Sequence, residues 1–226
     1  MKNKSYIGIS FIILVFGIIF VPRIINRIKD GTTVVNDRMS VSNESNTASS
    51  LHKIGPVPQF KLINQDGKEI TNKDYDGKVY VLEFFFSTCP TICPKMNQNM
   101  LLLEKEFSKD SDFGIVSITI NPENDTPAVL KEHAKVLGVT SQNWNFLTGE
   151  KDYIMNLSNK GFNIYAGENA QVNGGFEHSG LFALIDKKGN IRCRKDDYDN
   201  PILYYDGIDA KGVNAIKEDI KLLLEE

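Results

Sequence analysis

Two cysteines stand four residues apart in the segment FFFSTCPTICPKM, where an apolar run gives way to a helical pattern. If the helix starts near Pro90, Cys89 and Cys93 project from one face, because residues i and i+4 are neighbours on a helix. A helix N-terminus also stabilises anions and lowers the pKa of a nearby thiol. Two thiolates so placed could close a disulfide or chelate a soft cation, such as Cu(I), Zn(II) or the iron of an iron–sulfur cluster.

The chain has three histidines, and one of them is a candidate third ligand. His178 lies in the glycine-rich segment GGFEHSG, directly before an apolar strand pattern, and loops at sheet edges often carry function. By contrast, His52 falls in a polar segment and His133 within a helical pattern, so we expect both to be solvated. The remaining cysteine, Cys193, has no partner near it in sequence, and we expect it to be buried as a small apolar residue.

The elements that must position these residues alternate between strand and helix patterns. Val79–Phe86 is typical of a central strand buried on both faces, and Gly114–Ile120 predicts a second, β-branched strand. Between them, apolar residues at Met96, Met100, Leu103 and Phe107 share one helical face. A second helix is predicted to begin near Asp125-Thr126-Pro127, a capping residue followed by proline.

The rest of the chain continues this alternation and closes with a helix. The further predicted elements are a hairpin of Gln59–Asn64 and Lys68–Ile70, a strand at Asn145–Leu147, a helix at Asp152–Lys160, a hairpin of Leu181–Asp186 and Ile191–Arg194, and a last helix capped by Asp209 with Val213, Ile216, Ile220 and Leu223 facing inward. This order predicts an α/β fold built around a central sheet.

The first fifty residues differ from the rest. Ile7–Val21 is almost continuously apolar, and with Ile24 and Ile25 it approaches the roughly 20 residues that a spanning helix needs. A cleaved signal peptide would end in small residues rather than Val21-Pro22-Arg23, so we expect an uncleaved anchor. The segment that follows is rich in Ser, Thr and Asn, which is typical of a flexible tether. The predicted organisation is an anchor with its flanks at 1–29, a tether at 30–53 and a single domain at 54–226.

Charge and composition exclude several classes of protein. The net charge of -3, without a basic stripe, argues against a nucleic-acid partner. Three cysteines are too few for a disulfide scaffold. Basic residues flank both sides of the apolar segment, so the positive-inside rule does not settle the orientation of an anchor.

Three segments resemble the signature blocks of the Sco/SenC family, in the same order and spacing. They are FFFSTCPTICP at Phe84–Pro94, SITINPENDTP at Ser117–Pro127 and EHSGLFALIDKKGN at Glu177–Asn190. The segment Tyr204–Gly207 and the terminal helix are also similar to bacterial members, so that the resemblance covers roughly residues 55–225. One position differs: Asn121 stands where the family usually has aspartate, and the charge of that aspartate is missing. Asp125 matches the second acid of the same block.

The resemblance implies a thioredoxin-like domain behind one N-terminal transmembrane helix, facing the periplasm or its equivalent. It also implies that Cys89, Cys93 and His178 bind copper, as Cu(I) or Cu(II), for the dinuclear copper centre of cytochrome c oxidase. The expected partners are the copper-bearing subunit of the oxidase, a copper donor protein and the membrane. The donor set agrees, because two thiolates and an imidazole suit copper, whereas structural zinc and iron–sulfur sites usually take four protein ligands.

Two functions from different classes fit these residues. The first is a metallochaperone that carries copper without turning over a small substrate. The second is an enzyme, a thiol–disulfide oxidoreductase acting on extracytoplasmic protein thiols, with Cys89 and Cys93 as its redox-active pair. The usual spacing for that chemistry is C-x-x-C, so the extra residue favours the metallochaperone. Both roles could coexist, since an acceptor with cysteine ligands must be reduced before it is loaded. A peroxidase is a weaker third alternative, because nothing else in the chain marks a peroxide pocket.

Overall fold

The computed structural model describes residue 10, residues 13–22 and residues 51–226. Residues 13–22 are helical. Among the described residues, no helix combines the length and the apolar character that crossing a membrane requires. The rest of the predicted anchor, and the predicted tether up to residue 50, lie outside the described residues.

A central sheet with flanking helices forms the main domain. Its strands are β1 His52–Pro56, β2 Lys61–Asn64, β3 Glu69–Thr71, β4 Val79–Phe85, β5 Phe113–Thr119, β6 Trp144–Thr148, β7 Ala166–Glu168, β8 Phe176–His178, β9 Leu181–Ile185, β10 Asn190–Lys195, β11 Pro201–Ile202 and β12 Tyr205–Asp206. Its helices are α1 Cys93–Phe107, α2 Pro127–Leu137, α3 Lys151–Asn156 and α4 Ala210–Glu225, with a 3-10 helix at Asn72–Tyr75 and a π-helix at Leu157–Phe162.

The sheet runs β1-β10-β9-β4-β5-β6-β2-β3, and β7 pairs with β8 in a separate two-stranded sheet. Strands β4, β5 and β6 are parallel neighbours, joined through α1 and α2. Two successive right-handed crossovers in one direction place both helices on the same face. A contact between Asn97 on α1 and His133 on α2, 3.5 Å apart, agrees with this arrangement. The predicted α/β fold around a central sheet is confirmed.

The apolar patterns account for the core of this domain. All seven residues of β4 and all seven of β5 are buried, as expected for strands covered on both faces. The predicted inward faces of α1 and α4 are also buried. Both predicted hairpins form, through the pairing of β2 with β3 and of β9 with β10.

The first helix begins later than the sequence predicted. It starts at Cys93, with Pro94 in its first turn, and not near Pro90. Cys89 therefore lies in the turn between β4 and α1, where its N–H donates a hydrogen bond to the carbonyl of Phe86 at 3.2 Å. Proline suits the first turn of a helix because it lacks an N–H. Pro90 and Pro94 both meet this condition, so the sequence alone did not show which of them begins the helix.

Two other boundaries also differ from the prediction. The last residues of the predicted tether belong to the domain, because Leu51 is buried and β1 begins at His52. The pattern expected as one helix at Asp152–Lys160 is a short α3 that continues as a π-helix to Phe162.

Candidate metal centre

The structure brings the three predicted ligands together. The sulfurs of Cys89 and Cys93 and a ring nitrogen of His178 all lie within 4.8 Å of one another. The shortest approach is 3.0 Å, between Cys93 Sγ and His178 Nε2. In the described part of the chain, this is the one group of three or more His, Cys, Asp or Glu side chains placed to hold a metal ion. Side chains 85 residues apart in sequence thus converge on one point.

The two cysteines are free thiols with different surroundings. Burial raises the pKa of the Cys93 thiol well above its usual range, since Cys93 is only 2% exposed. Burial acts in the same direction on Cys89, but hydrogen bonds from His178, Cys93 and Thr91 outweigh it and lower the pKa of Cys89 to about 5. At neutral pH the pair therefore holds one thiolate, on Cys89, and one protonated thiol, on Cys93.

His178 is oriented by its own neighbours. Its Nδ1 faces the carbonyl of Ser179 at 3.2 Å, and donation there turns Nε2 towards the sulfurs. When Nε2 also carries a proton, it can donate to a thiolate; when it does not, its lone pair is available to the Cys93 thiol or to a metal. The ring stands edge-on against Phe86, with centroids 5.7 Å apart.

The segment that carries His178 is a short hairpin, and not the open glycine-rich loop that the sequence suggested. His178 ends β8 and pairs with Ala166 on β7. Gly174 and Gly175 lie in the turn before β8 with φ of +96° and +78°, values that favour glycine. The hairpin packs on the body of the domain through Phe176, whose ring lies 5.6 Å from that of Phe86.

Asp125 has a role that the sequence did not reveal. The N-cap of α2 is Thr126, followed by Pro127 in the first turn as predicted, and the hydroxyl of Thr126 accepts a hydrogen bond from Val129 N. Asp125 is fully buried and accepts hydrogen bonds from Ser87 N at 3.0 Å and from the hydroxyls of Ser87 and Thr119. It thereby joins Ser87, which lies two residues after β4 and two before Cys89, to Thr119 at the end of β5.

The position that differs from the family block lies next to this contact. Asn121 N donates to Thr119 Oγ1 at 3.0 Å, and its carbonyl accepts from the N–H groups of Asn124 and Asp125. Within the described residues, all hydrogen bonds of Asn121 run through its backbone. The missing aspartate charge therefore removes none of the contacts that hold the turn.

A second buried acid lies on β4 beneath the cysteine turn, and sequence reasoning missed it. Glu83 is fully buried, and its Oε1 accepts a hydrogen bond from Ser117 at 2.8 Å. Its Oε2 has no partner among the described residues. Burial raises the pKa of Glu83 to about 7, although the Ser117 hydrogen bond opposes the shift. A negative charge on Glu83 adds to the raised pKa of Cys93. The signal in the sequence was one acid within the apolar run VYVLEFFF.

The other histidines and the third cysteine lie outside the centre. His133 is half-buried between the rings of Phe85 and Phe146, so the prediction that it is solvated is wrong. His52 is also half-buried, on β1, where it pairs with Cys193 on β10. Cys193 is fully buried, as predicted, and burial raises its pKa to about 11.

Comparison with known proteins shows the family to which a chain with this fold and this group of side chains belongs. The sequence pattern of the SCO1/SenC family matches residues 49–210. The chain belongs to this family. A SCO1/SenC family lipoprotein from Bacillus anthracis str. Ames is 30% identical, with a TM-score of 0.66 over 79% of this chain and 99% of that one. BsSco, described as having a disulfide switch and as a member of the Sco family of cytochrome c oxidase assembly proteins, is 27% identical, with a TM-score of 0.65 over 78% and 98%.

Yeast Sco1 has been solved with copper bound, and it too is similar to this SCO1/SenC chain. It is 29% identical, with a TM-score of 0.55 over 74% of this chain and 89% of that one. These similarities confirm the thioredoxin-like Sco fold that the sequence predicted for the main domain.

Proposed function

We propose that this SCO1/SenC protein binds one copper ion through Cys89, Cys93 and His178 and delivers it to the copper-bearing subunit of cytochrome c oxidase during assembly. The observation that carries the proposal is the convergence of the three donor atoms within 4.8 Å. The copper-bound structure of yeast Sco1 and the oxidase-assembly role described for the family of BsSco support it.

The donor set fits copper better than the alternatives. Thiolate sulfur and imidazole nitrogen are both ligands that copper favours, and thiolates in particular select Cu(I). A closed zinc site would need a fourth protein ligand, and the described residues place no fourth His, Cys, Asp or Glu in this group. Because Cys89 is already ionised at neutral pH, only Cys93 has to lose a proton when the ion is bound.

A second function, reduction of the oxidase subunit's cysteines, rests on a different observation. Cys89 is the more exposed sulfur and has the lower pKa, which suits it to attack a disulfide. Cys93 is buried and protonated, as a resolving thiol would be. The disulfide switch described for BsSco supports this role. Reduction of a partner disulfide leaves Cys89 and Cys93 joined as a disulfide, so an external thiol reductant must reduce the pair again before the same site can carry copper.

Copper loading is expected to depend on the redox state of the protein. Protein purified with a reductant should bind one equivalent of copper, whereas protein with an oxidised Cys89–Cys93 pair should bind little, because a disulfide cannot supply thiolate ligands. Metal analysis after gel filtration, with thiols counted in the same samples, measures both quantities. Equal copper content before and after oxidation would rule out the two cysteines as ligands.

We also propose that residues 1–29 anchor the protein and that the domain faces the periplasm or its equivalent. A dithiol with a redox-active metal fits an oxidising compartment, and the related protein from Bacillus anthracis is a lipoprotein. Protease added to intact spheroplasts should therefore degrade the domain and leave a short membrane fragment. Protection of Cys89 and Cys93 until the membrane is permeabilised would place the domain in the cytoplasm.

A further inference from the structure

Gly180 lies at the point where the segment carrying His178 meets two other parts of the chain. It follows His178 by two residues, and its carbonyl accepts a hydrogen bond from Gly207 N at 2.8 Å. A Cβ on Gly180 would lie 2.7 Å from Cγ1 of Ile208, closer still to its Cδ1, and 3.7 Å from Cδ1 of Ile92. Carbon atoms in contact are normally about 3.5–4.0 Å apart. Its φ lies outside the left-handed region, so the space around Gly180, and not its backbone conformation, demands glycine.

The two isoleucines connect Gly180 to the cysteine side of the site. Ile92 is the N-cap residue of α1 and directly precedes Cys93. Ile208 lies in the loop before α4, and its N–H donates to the carboxylate of Asp206 at 2.7 Å. The carbonyls of Gly207 and Ile208 accept hydrogen bonds from the side chain of Asn99 on α1, at 2.7 and 3.2 Å. The backbone of Ile208 is thus held to α1, and its partly buried side chain packs against the core, so both resist displacement by a Cβ on Gly180.

We propose that Gly180 is a positioning residue for the third ligand. Its lack of a side chain lets the segment after β8 close on Ile92 and Ile208, and this closure holds His178 Nε2 at 3.0 Å from Cys93 Sγ. With Ile208 in place, a side chain at position 180 separates His178 from the cysteines while leaving the two sulfurs in place. The expected effect on Cu(II) affinity rests on the proposed copper-binding function. The expected effect on the His178–Cys93 contact does not, because that contact exists without metal.

The test compares Gly180→Ala with the unaltered protein in two forms. In the metal-free, reduced form, the ¹⁵N chemical shift of His178 Nε2 should move towards that of a histidine without a thiol contact. In the copper form, Cu(II) affinity, measured by competition with a chelator, should fall by about tenfold or more, as for other residues that orient metal ligands. Cu(I) affinity should change little, because both sulfurs remain.

Two further variants separate positioning from general destabilisation. Gly114→Ala places a Cβ 2.9 Å from Tyr75 Cε1, at the start of β5 and so at the opposite end of the sheet from the cysteine turn. It should lower the melting temperature without changing the His178 shift or Cu(II) affinity. In Gly180→Ala/Ile208→Ala, the conflicting Cγ1 and Cδ1 atoms are gone, and both readouts should return towards those of the unaltered protein.

The proposal is overturned if Gly180→Ala keeps the original His178 shift and Cu(II) affinity, or if the double variant is as impaired as the single one. Should Gly180→Ala not fold, the double variant decides alone: an original His178 shift supports the proposal, and a displaced one contradicts it. An unaltered protein that binds no copper would refute the proposed function, while the metal-free shifts would still test the role of Gly180.

Discussion

Replacing Cys89 or Cys93 with alanine is expected to lower the Cu(I) affinity of the reduced protein by more than about 100-fold, since loss of a residue that merely supports a ligand already costs about 10- to 100-fold. Each sulfur supplies one of two soft donors, and an imidazole with a single thiolate is a much poorer site for Cu(I). Competition with a Cu(I) chelator under strictly reducing conditions measures the loss.

The chain offers a matched control in Cys193→Ala. Cys193 is buried, like Cys89 and Cys93, but it lies on β10 and is not part of the group with His178. Its replacement removes one thiol and leaves Cu(I) affinity unchanged. If Cys89→Ala retained the affinity of the unaltered protein while Cys193→Ala lost it, the metal centre would have been assigned to the wrong cysteines.

The sequence predicted most of the elements because their signals are local. The two-face burial of β4 follows from a continuous apolar run, and the inward faces of α1 and α4 follow from their helical period. The start of α1 was missed because Pro90 and Pro94 fit the first turn of a helix equally well in sequence. The two sulfurs do lie close together, but not because they share a helical face, since Cys89 precedes the helix.

The supporting residues were harder to predict, because their partners are distant in sequence. Asp125 accepts hydrogen bonds from Ser87, after β4, and from Thr119 on β5, and the local sequence around Asp125 indicates neither partner. His133 lies on a helix whose exposure was inferred from its own neighbours, but the rings that cover it come from β4 and β6. Glu83 stands in a run that predicts burial, and only the structure shows that one of its oxygens is left without a partner among the described residues.

His178→Ala is expected to separate the two oxidation states of copper. Two thiolates can still hold Cu(I) in a near-linear geometry, whereas Cu(II) prefers nitrogen and a larger number of ligands. Cu(II) affinity should therefore fall by at least about tenfold, and the Cu(II) absorption spectrum should change, while Cu(I) affinity changes much less. The effect on Cu(II) should exceed that of Gly180→Ala, because the nitrogen is removed and not merely displaced.

His133→Ala and His52→Ala are the matched controls for this experiment. Both remove a half-buried imidazole, and neither residue belongs to the group formed with Cys89 and Cys93. His133→Ala also takes a ring from between Phe85 and Phe146, so it should lower the melting temperature while leaving the Cu(II) spectrum intact. A His178→Ala protein with the original Cu(II) affinity and spectrum, beside a control variant that loses them, would place the nitrogen ligand elsewhere. Nε2 of His178 already lies 3.0 Å from a cysteine sulfur. The structure therefore favours a loss of Cu(II) affinity in His178→Ala and not in the two control variants.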